Sequence, residues 1–369
     1  MKHYDFIIIG SGFYGAVLAE RLHNIGKSVL VIDRRDHIGG NCYSYEYEDT
    51  NIIVHKYGTH IFHCSKKSTW DYINQFGEFN RYQHRVLTTF KNKVYSMPIN
   101  LGTINAFYGI NLKPDDVEAF INSKRPHITN PKNLEEKAIS LIGIDLYEAF
   151  IKGYTKKQWG IDPKDLPAEI ITRLPVRSSF FDSYFNDYYQ GLPLNGYTSL
   201  FVNMLQDIPV ELNTDFFKDR EYWLKSCGTL IYTGQIDRYF NYSAGKLRWR
   251  SVKFEQTVVE IDDYQGTSVM NFADEDIPYT RIHEPKHLHL ERNFKKNISV
   301  IIKENSCIDH DDPYYPVNSD SDKQLLDGYQ KLAKGEKKVI FGGRLADYKY
   351  YDMYHTIEAA LDRFKTIVS

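Results

Sequence analysis

The sequence predicts an α/β protein organised on a parallel nucleotide-binding sheet, and three observations predict it. Phe6-Ile7-Ile8-Ile9 is a continuous apolar run, the pattern of a parallel strand buried on both faces. It leads directly into Gly10-Ser11-Gly12-Phe13-Tyr14-Gly15 and then a helical stretch. A second apolar run, Val29-Leu30-Val31-Ile32, follows and ends in Asp33. Strand, glycine turn, helix, strand and acid form the order of a dinucleotide-binding unit. Gly10 allows the tight turn, Gly12 lets a pyrophosphate approach the backbone, and Gly15 lets the helix pack close to the strand. The unpaired N–H groups at the helix start face the phosphates. Asp33 stands roughly twenty residues on, where an acid takes the ribose hydroxyls.

Composition narrows the classes. A chain of 369 residues implies two or three domains. Its net charge of −2 offers no global basic field for nucleic acid or an anionic membrane, so phosphate binding must come from local arginines. Cys42, Cys64, Cys227 and Cys307 form no CxxC pair. That argues against a disulfide framework and a structural zinc site, and it suits a reducing cytoplasm. No signal peptide and no membrane span are expected.

Further along the chain, Arg34-Arg35-Asp36-His37-Ile38-Gly39-Gly40-Asn41 supplies a second glycine turn. In a flavin enzyme this position lies under the dinucleotide. The histidines of Tyr57-Gly58-Thr59-His60-Ile61-Phe62-His63 have no acid or cysteine at a matching spacing, so no metal is expected. Residues 85–98 alternate as a hairpin and its exit. From about 101 to 172 the pattern is helical, with a capping-box shape at Asn133 and Glu136. A helix is expected from Ile144 to Lys152. Gly153 should then open a turn, Tyr154 to Gly160, that presents Trp159 as a stacking platform.

Gly196-Tyr197 starts another helix, and Thr229-Leu230-Ile231-Tyr232-Thr233-Gly234 reads as a third strand of the first sheet. Residues 247–304 alternate as an antiparallel sheet. His287 and His289 are expected on an exposed strand face, and Asp309-His310-Asp311-Asp312 as a solvated loop. Val339-Ile340-Phe341 and the helix after Asp352-Met353 return the chain to the nucleotide sheet. The middle of the chain is therefore inserted, a topology common for FAD proteins and less natural for a simple NAD dehydrogenase.

Arg173, Arg250 and Arg281 stand beside aromatic residues or proline-fixed turns, and together they read as an anion clamp for a diphosphate. Tyr315 and Tyr350 would add hydroxyl donors. No nucleophile elbow, HExxH or carboxylate dyad declares itself, so the reactive atom of an enzyme built this way belongs to its cofactor.

These motifs carry a resemblance that runs nearly end to end. Gly10-Ser11-Gly12, Ile38-Gly39-Gly40-Asn41, His60-Ile61-Phe62-His63, Gly153-Tyr154-Thr155 through Gln158-Trp159-Gly160, Arg173-Leu174-Pro175-Val176-Arg177, Pro278-Tyr279-Thr280-Arg281, Pro313-Tyr314-Tyr315-Pro316 and Gly343-Arg344-Leu345 through Asp352-Met353 resemble the bacterial UDP-galactopyranose mutases. The resemblance implies an FAD-binding Rossmann-like domain (1–62, 197–243 and 333–369) and an inserted helical domain with a mobile substrate loop (100–172). An antiparallel sheet domain (63–99, 173–196 and 244–332) completes it, in a cytoplasmic homodimer.

The implied activity is interconversion of UDP-galactopyranose and UDP-galactofuranose with no net redox change. The reduced flavin's N5 attacks the anomeric carbon and forms a flavin–sugar adduct. The cofactor is implied to rest on Gly10, Gly12, Phe13, Gly15, Asp33, Gly40, Asn41, His60, Ile61, Arg344, Asp352 and Met353, with His63 beside it. Substrate contacts are implied for His84, Tyr154, Thr155, Trp159, Arg173, Tyr184, Arg250, Asn271, Arg281, Tyr315 and Tyr350. Arg173 and Arg281 are the implied diphosphate cations, and with His63 they are the implied catalytic residues.

Thr59 stands where the family usually has proline or alanine, and His84 where an asparagine is common. Either residue can alter the sugar pocket, and related mutases also accept UDP-N-acetylgalactosamine. Rival readings are an amine-oxidase-like FAD oxidoreductase and a non-catalytic nucleotide-sugar-binding protein.

Overall fold

A computed structural model describes residues 2–173, 176–309 and 311–369, except for the side chains of Thr172 and Arg173. Five parallel strands form the first sheet, in spatial order Val339–Phe341, Cys227–Tyr232, Tyr4–Ile9, Val29–Ile32 and Val210–Glu211. Ile7, Ile8, Val31 and Ile32 are fully buried because both faces of this sheet are covered. One face carries the helices Phe13–Asn24 and Met353–Val368, which pack together with Gly196–Met204 in one core. The opposite face packs on Phe216, Trp223 and Tyr239. The first and last thirds of the chain thus meet in one layer, as the glycine turn and the C-terminal strand–helix unit imply.

The second sheet has seven strands, ordered Tyr315–Pro316, Trp249–Val259, Ser299–Cys307, Arg281–His283, Val269–Phe272, Val86–Phe90 and Lys93–Met97. All neighbours are antiparallel except Val269–Phe272 beside Val86–Phe90. Its register sets one row of residues side by side: Thr88, Asn271, Arg281, Glu304 and Phe254. Residues directly opposite on paired strands share a face, so the row lies on a single surface of the sheet.

The helical layer packs on the hairpin end of this sheet around Leu101, Leu134, Tyr147 and Phe150. Asn133 accepts a hydrogen bond from the Glu136 N–H, while the Glu136 carboxylate accepts from the Lys132 N–H rather than completing a capping box. The expected break at Gly153 does not occur. Helical backbone continues through it (φ −64°, ψ −43°), from a π-helical turn at Tyr147–Lys152 into a helix at Gly153–Trp159. Gly153 is needed for packing, since a Cβ there would lie 2.3 Å from the Ala273 carbonyl oxygen. The helix ends at Trp159, and Gly160 caps it with φ +64°.

Two other expectations fail locally. His287 sits in the short helical turn Pro285–Leu288, and His289 is buried just after it, so neither lies on an exposed strand. His289 Nδ1 pairs with Glu291, and His287 Nε2 with Asp263. The expected loop residue His310 lies outside the described residues, as do Leu174 and Pro175 of the arginine–proline run.

Candidate active site

A cavity of about 930 Å³ runs from the glycine turn to the row on the second sheet. This is the size range of small-molecule sites. At one end Gly10 takes φ +106°. A Cβ on Gly15 would lie 2.0 Å from the Gly10 carbonyl oxygen, so only glycine lets the helix start this close to the strand end. A Cβ on Gly12 would meet nothing nearer than Gly40 Cα at 3.8 Å, which leaves the approach to the helix N-terminus open. The second glycine turn docks there through the Gly39 N–H, which donates to the Ser11 carbonyl.

Asp33 lines this end, and its Oδ2 accepts from both the N–H (2.8 Å) and the hydroxyl (2.6 Å) of Ser11. The acid therefore braces the glycine turn as well as facing the cavity. The glycine pair, the exposed helix N–H groups, the acid and the length of the cavity fit a flavin dinucleotide. Phe13, Asn41, His60, Ile61, Arg344, Asp352 and Met353 continue the lining toward the second sheet. Burial holds His60 near a pKa of about 4, so its ring is neutral.

At the other end Arg281 projects from its strand beside Glu304, with Nε 3.2 Å from Oε1. Its Nη2 donates to the Tyr154 hydroxyl. Glu304 also accepts from the Thr280 hydroxyl (3.1 Å) and from His283 Nε2 (3.0 Å). Burial alone would raise this carboxyl, but the Arg281 charge and the His283 and Thr280 hydrogen bonds hold it down at about 2. Arg281 keeps its charge for the same reason, because the carboxylate offsets the cost of burial. Asn271, next in the row, has a buried Oδ1 with no partner. Tyr315 and Tyr350 stack at 5.5 Å and 15° on the same wall.

His63 donates from Nδ1 to Asp187 (2.7 Å) and stacks on Phe185 at 3.7 Å. His84 also lies near Phe185, 5.8 Å between ring centres, with Tyr184 edge-on. Burial pushes His84 down to about 3, so it enters the pocket as a neutral ring held by Tyr82. Tyr154, Thr155 and Trp159 reach the cavity from one helix.

One expected substrate residue stands apart. Arg250 does not line the cavity; its Nε donates to the Gln158 carbonyl (3.2 Å) and its Nη2 to Ser306. It acts on the end of the Trp159 helix, where a cation also meets the negative pole of the helix. Arg173 ends the short helical turn Ala168–Arg173, and its side chain lies outside the described residues. Glu304, Thr88 and Phe254 also line the cavity and were not expected there. The signal for them is non-local, because it requires knowing which strand residues stand opposite Arg281.

Comparison with known proteins agrees with this geometry. The UDP-galactopyranose mutase family model matches residues 149–350, and that of the NAD(P)-binding Rossmann-like domain matches residues 8–76. The chain is 41% identical to a probable UDP-galactopyranose mutase of Klebsiella pneumoniae, covering 98% of this chain and 94% of that one. It is 42% identical to a dTDP-fucopyranose mutase of Escherichia coli, covering 96% of both. Among solved structures, reduced UDP-galactopyranose mutase superposes with a TM-score of 0.76 at 14% identity, over 100% of this chain and 94% of that one. With the fold, the cavity and these relatives in agreement, the chain belongs to the UDP-galactopyranose mutase family of isomerases.

Proposed function

We propose that the protein interconverts the pyranose and furanose forms of a UDP-galactose-type nucleotide sugar, with FAD as its cofactor in the reduced state. One observation carries this reading: the row that holds Arg281 and Glu304 opens into the same cavity as the glycine turn. The nucleotide diphosphate and the dinucleotide cofactor therefore share one enclosure. FAD would rest on the two glycine turns, Asp33, His60, Ile61, Arg344, Asp352 and Met353. When bound and reduced, it supplies the electron pair that attacks the sugar's anomeric carbon.

The chain's own residues do the rest. Arg281 meets the diphosphate oxygens and stabilises the charge that builds on them as the nucleotide leaves. Glu304 keeps that guanidinium aimed, and Arg173 is the proposed second cation. Tyr315 and Tyr350 offer hydroxyls to the same oxygens. Tyr154, Thr155 and Trp159 hold the base, and the Trp159 helix shields the sugar from water while it is detached from the nucleotide. Asn271 Oδ1, buried and unpaired, is placed to accept a hydrogen bond from a sugar hydroxyl. His63 and His84 flank the sugar, each fixed by a neighbour.

The relative named for dTDP-fucopyranose supports a second reading with the same chemistry and a different nucleotide and sugar. UDP-N-acetylgalactosamine is a third. A single experiment separates them. Dithionite-reduced protein is incubated with UDP-galactofuranose, its N-acetyl analogue or dTDP-fucofuranose, and pyranose product is followed by chromatography. The reading expects the highest kcat/KM for UDP-galactofuranose, and turnover of none of the three would end it. Sedimentation equilibrium tests the homodimer that belongs to the same reading.

A further inference from the structure

Behind Arg281 runs a line of hydrogen bonds that ends on Thr59, itself part of the cavity lining. Glu304 Oε2 lies 3.0 Å from His283 Nε2, and His283 Nδ1 lies 2.7 Å from the Thr59 hydroxyl. Thr59 belongs to the loop that also carries His60 and Ile61, and all three line the cavity. His283 is itself only 1% exposed, so water does not substitute for either partner.

The donors are fixed by chemistry. The Glu304 carboxylate only accepts, so His283 Nε2 must carry a proton. Burial keeps the ring neutral, with one proton to place. Nδ1 is therefore bare, and the Thr59 hydroxyl donates to it. The Thr59 bond holds the ring against rotation about its Cβ–Cγ bond. Once that restraint is lost, Nε2–H can swing away, and one carboxylate oxygen of a buried ion pair is left unpaired.

We propose that Thr59 and His283 are positioning residues, which fix Glu304 and through it aim Arg281 at the diphosphate. The chain of bonds also ties the loop beside the cofactor to the arginine that receives the leaving group. This inference rests on the role proposed for Arg281.

The test compares Thr59→Val, which keeps the shape and removes the hydroxyl, with Thr59→Ser, which restores it, both as reduced holoenzyme. A hydrogen-bonded, exchange-protected imidazole N–H resonance is expected in the ¹⁵N-histidine spectrum, assigned by its loss in His283→Gln. Thr59→Val should lose that resonance and should lower kcat and UDP affinity, kcat by about tenfold for a bond to a charged group. Thr59→Ser should recover all three readouts. A Thr59→Val protein that keeps the resonance, or that turns over like wild type, overturns the proposal. So does failure of Thr59→Ser to recover a damaged Thr59→Val. If the wild-type protein turns over no nucleotide sugar, the functional reading fails by itself, while the resonance and UDP binding still report on the chain of bonds.

Discussion

Arg281 has little freedom, because its guanidinium is held by Glu304 on one side and the Tyr154 hydroxyl on the other. A cation fixed before the reaction costs no reorganisation when charge develops on the leaving group. Arg281→Ala is therefore expected to lower kcat by at least a hundredfold while leaving the circular dichroism spectrum unchanged; near-normal turnover would remove it from the site. Trp159→Ala should weaken UDP binding about tenfold, the worth of one lost aromatic contact, as measured by calorimetry. Arg281 was legible in the sequence because it follows Pro278-Tyr279-Thr280, and Trp159 because it precedes a glycine. Glu304, Thr88 and Phe254 were not. Nothing local distinguishes them from other strand residues, and they join the site only through the register of five strands.

Among the elements, the Trp159 helix is the one whose sequence was misread. Its glycine suggests a turn, since glycine is disfavoured inside helices. Here a close carbonyl from the second sheet decides the residue instead. Gly153→Ala should therefore destabilise the protein by about 1–3 kcal/mol, the cost of overpacking, although alanine is the better helix former; chemical denaturation checks it. Lys157 donates to the carbonyls of Phe272 and Asp274 and binds the same helix to the sheet. Arg250 holds the helix end from behind. Arg250→Ala is expected to raise KM for the nucleotide sugar with a smaller loss of kcat than Arg281→Ala, because it places Trp159 and does not reach the cavity. An equal loss of kcat in the two variants would return Arg250 to the cavity wall.

At the scale of the whole molecule, two sheets from interleaved parts of the chain close on one cavity. Four strands of the nucleotide sheet were legible because they are continuous apolar runs and their turns need glycine; the two-residue edge strand Val210–Glu211 carries no such signal. The second sheet was legible only as alternation, which does not give strand order. Its stability carries a pH signature. Glu304 and Glu284 both sit near 2, below the ordinary carboxylate range. Burial opposes this in each. Arg281 and His283 overcome it for Glu304, and His287, Ser299 and the Tyr264 and Gln265 N–H groups for Glu284.

A depressed carboxyl contributes stability that is complete above its unfolded pKa and is lost as pH falls through the folded value. Denaturation midpoints should therefore fall steeply from about pH 4.5 toward 2, and Glu284→Gln should flatten that slope. The reaction itself offers the most direct test. Under anaerobic conditions the flavin spectrum is followed while nucleotide sugar is added to the oxidised and to the dithionite-reduced protein. The account predicts pyranose–furanose interconversion by the reduced form alone, with its spectrum still that of reduced flavin at the end. Bleaching of the oxidised flavin by the sugar, with an oxidised product, would contradict it.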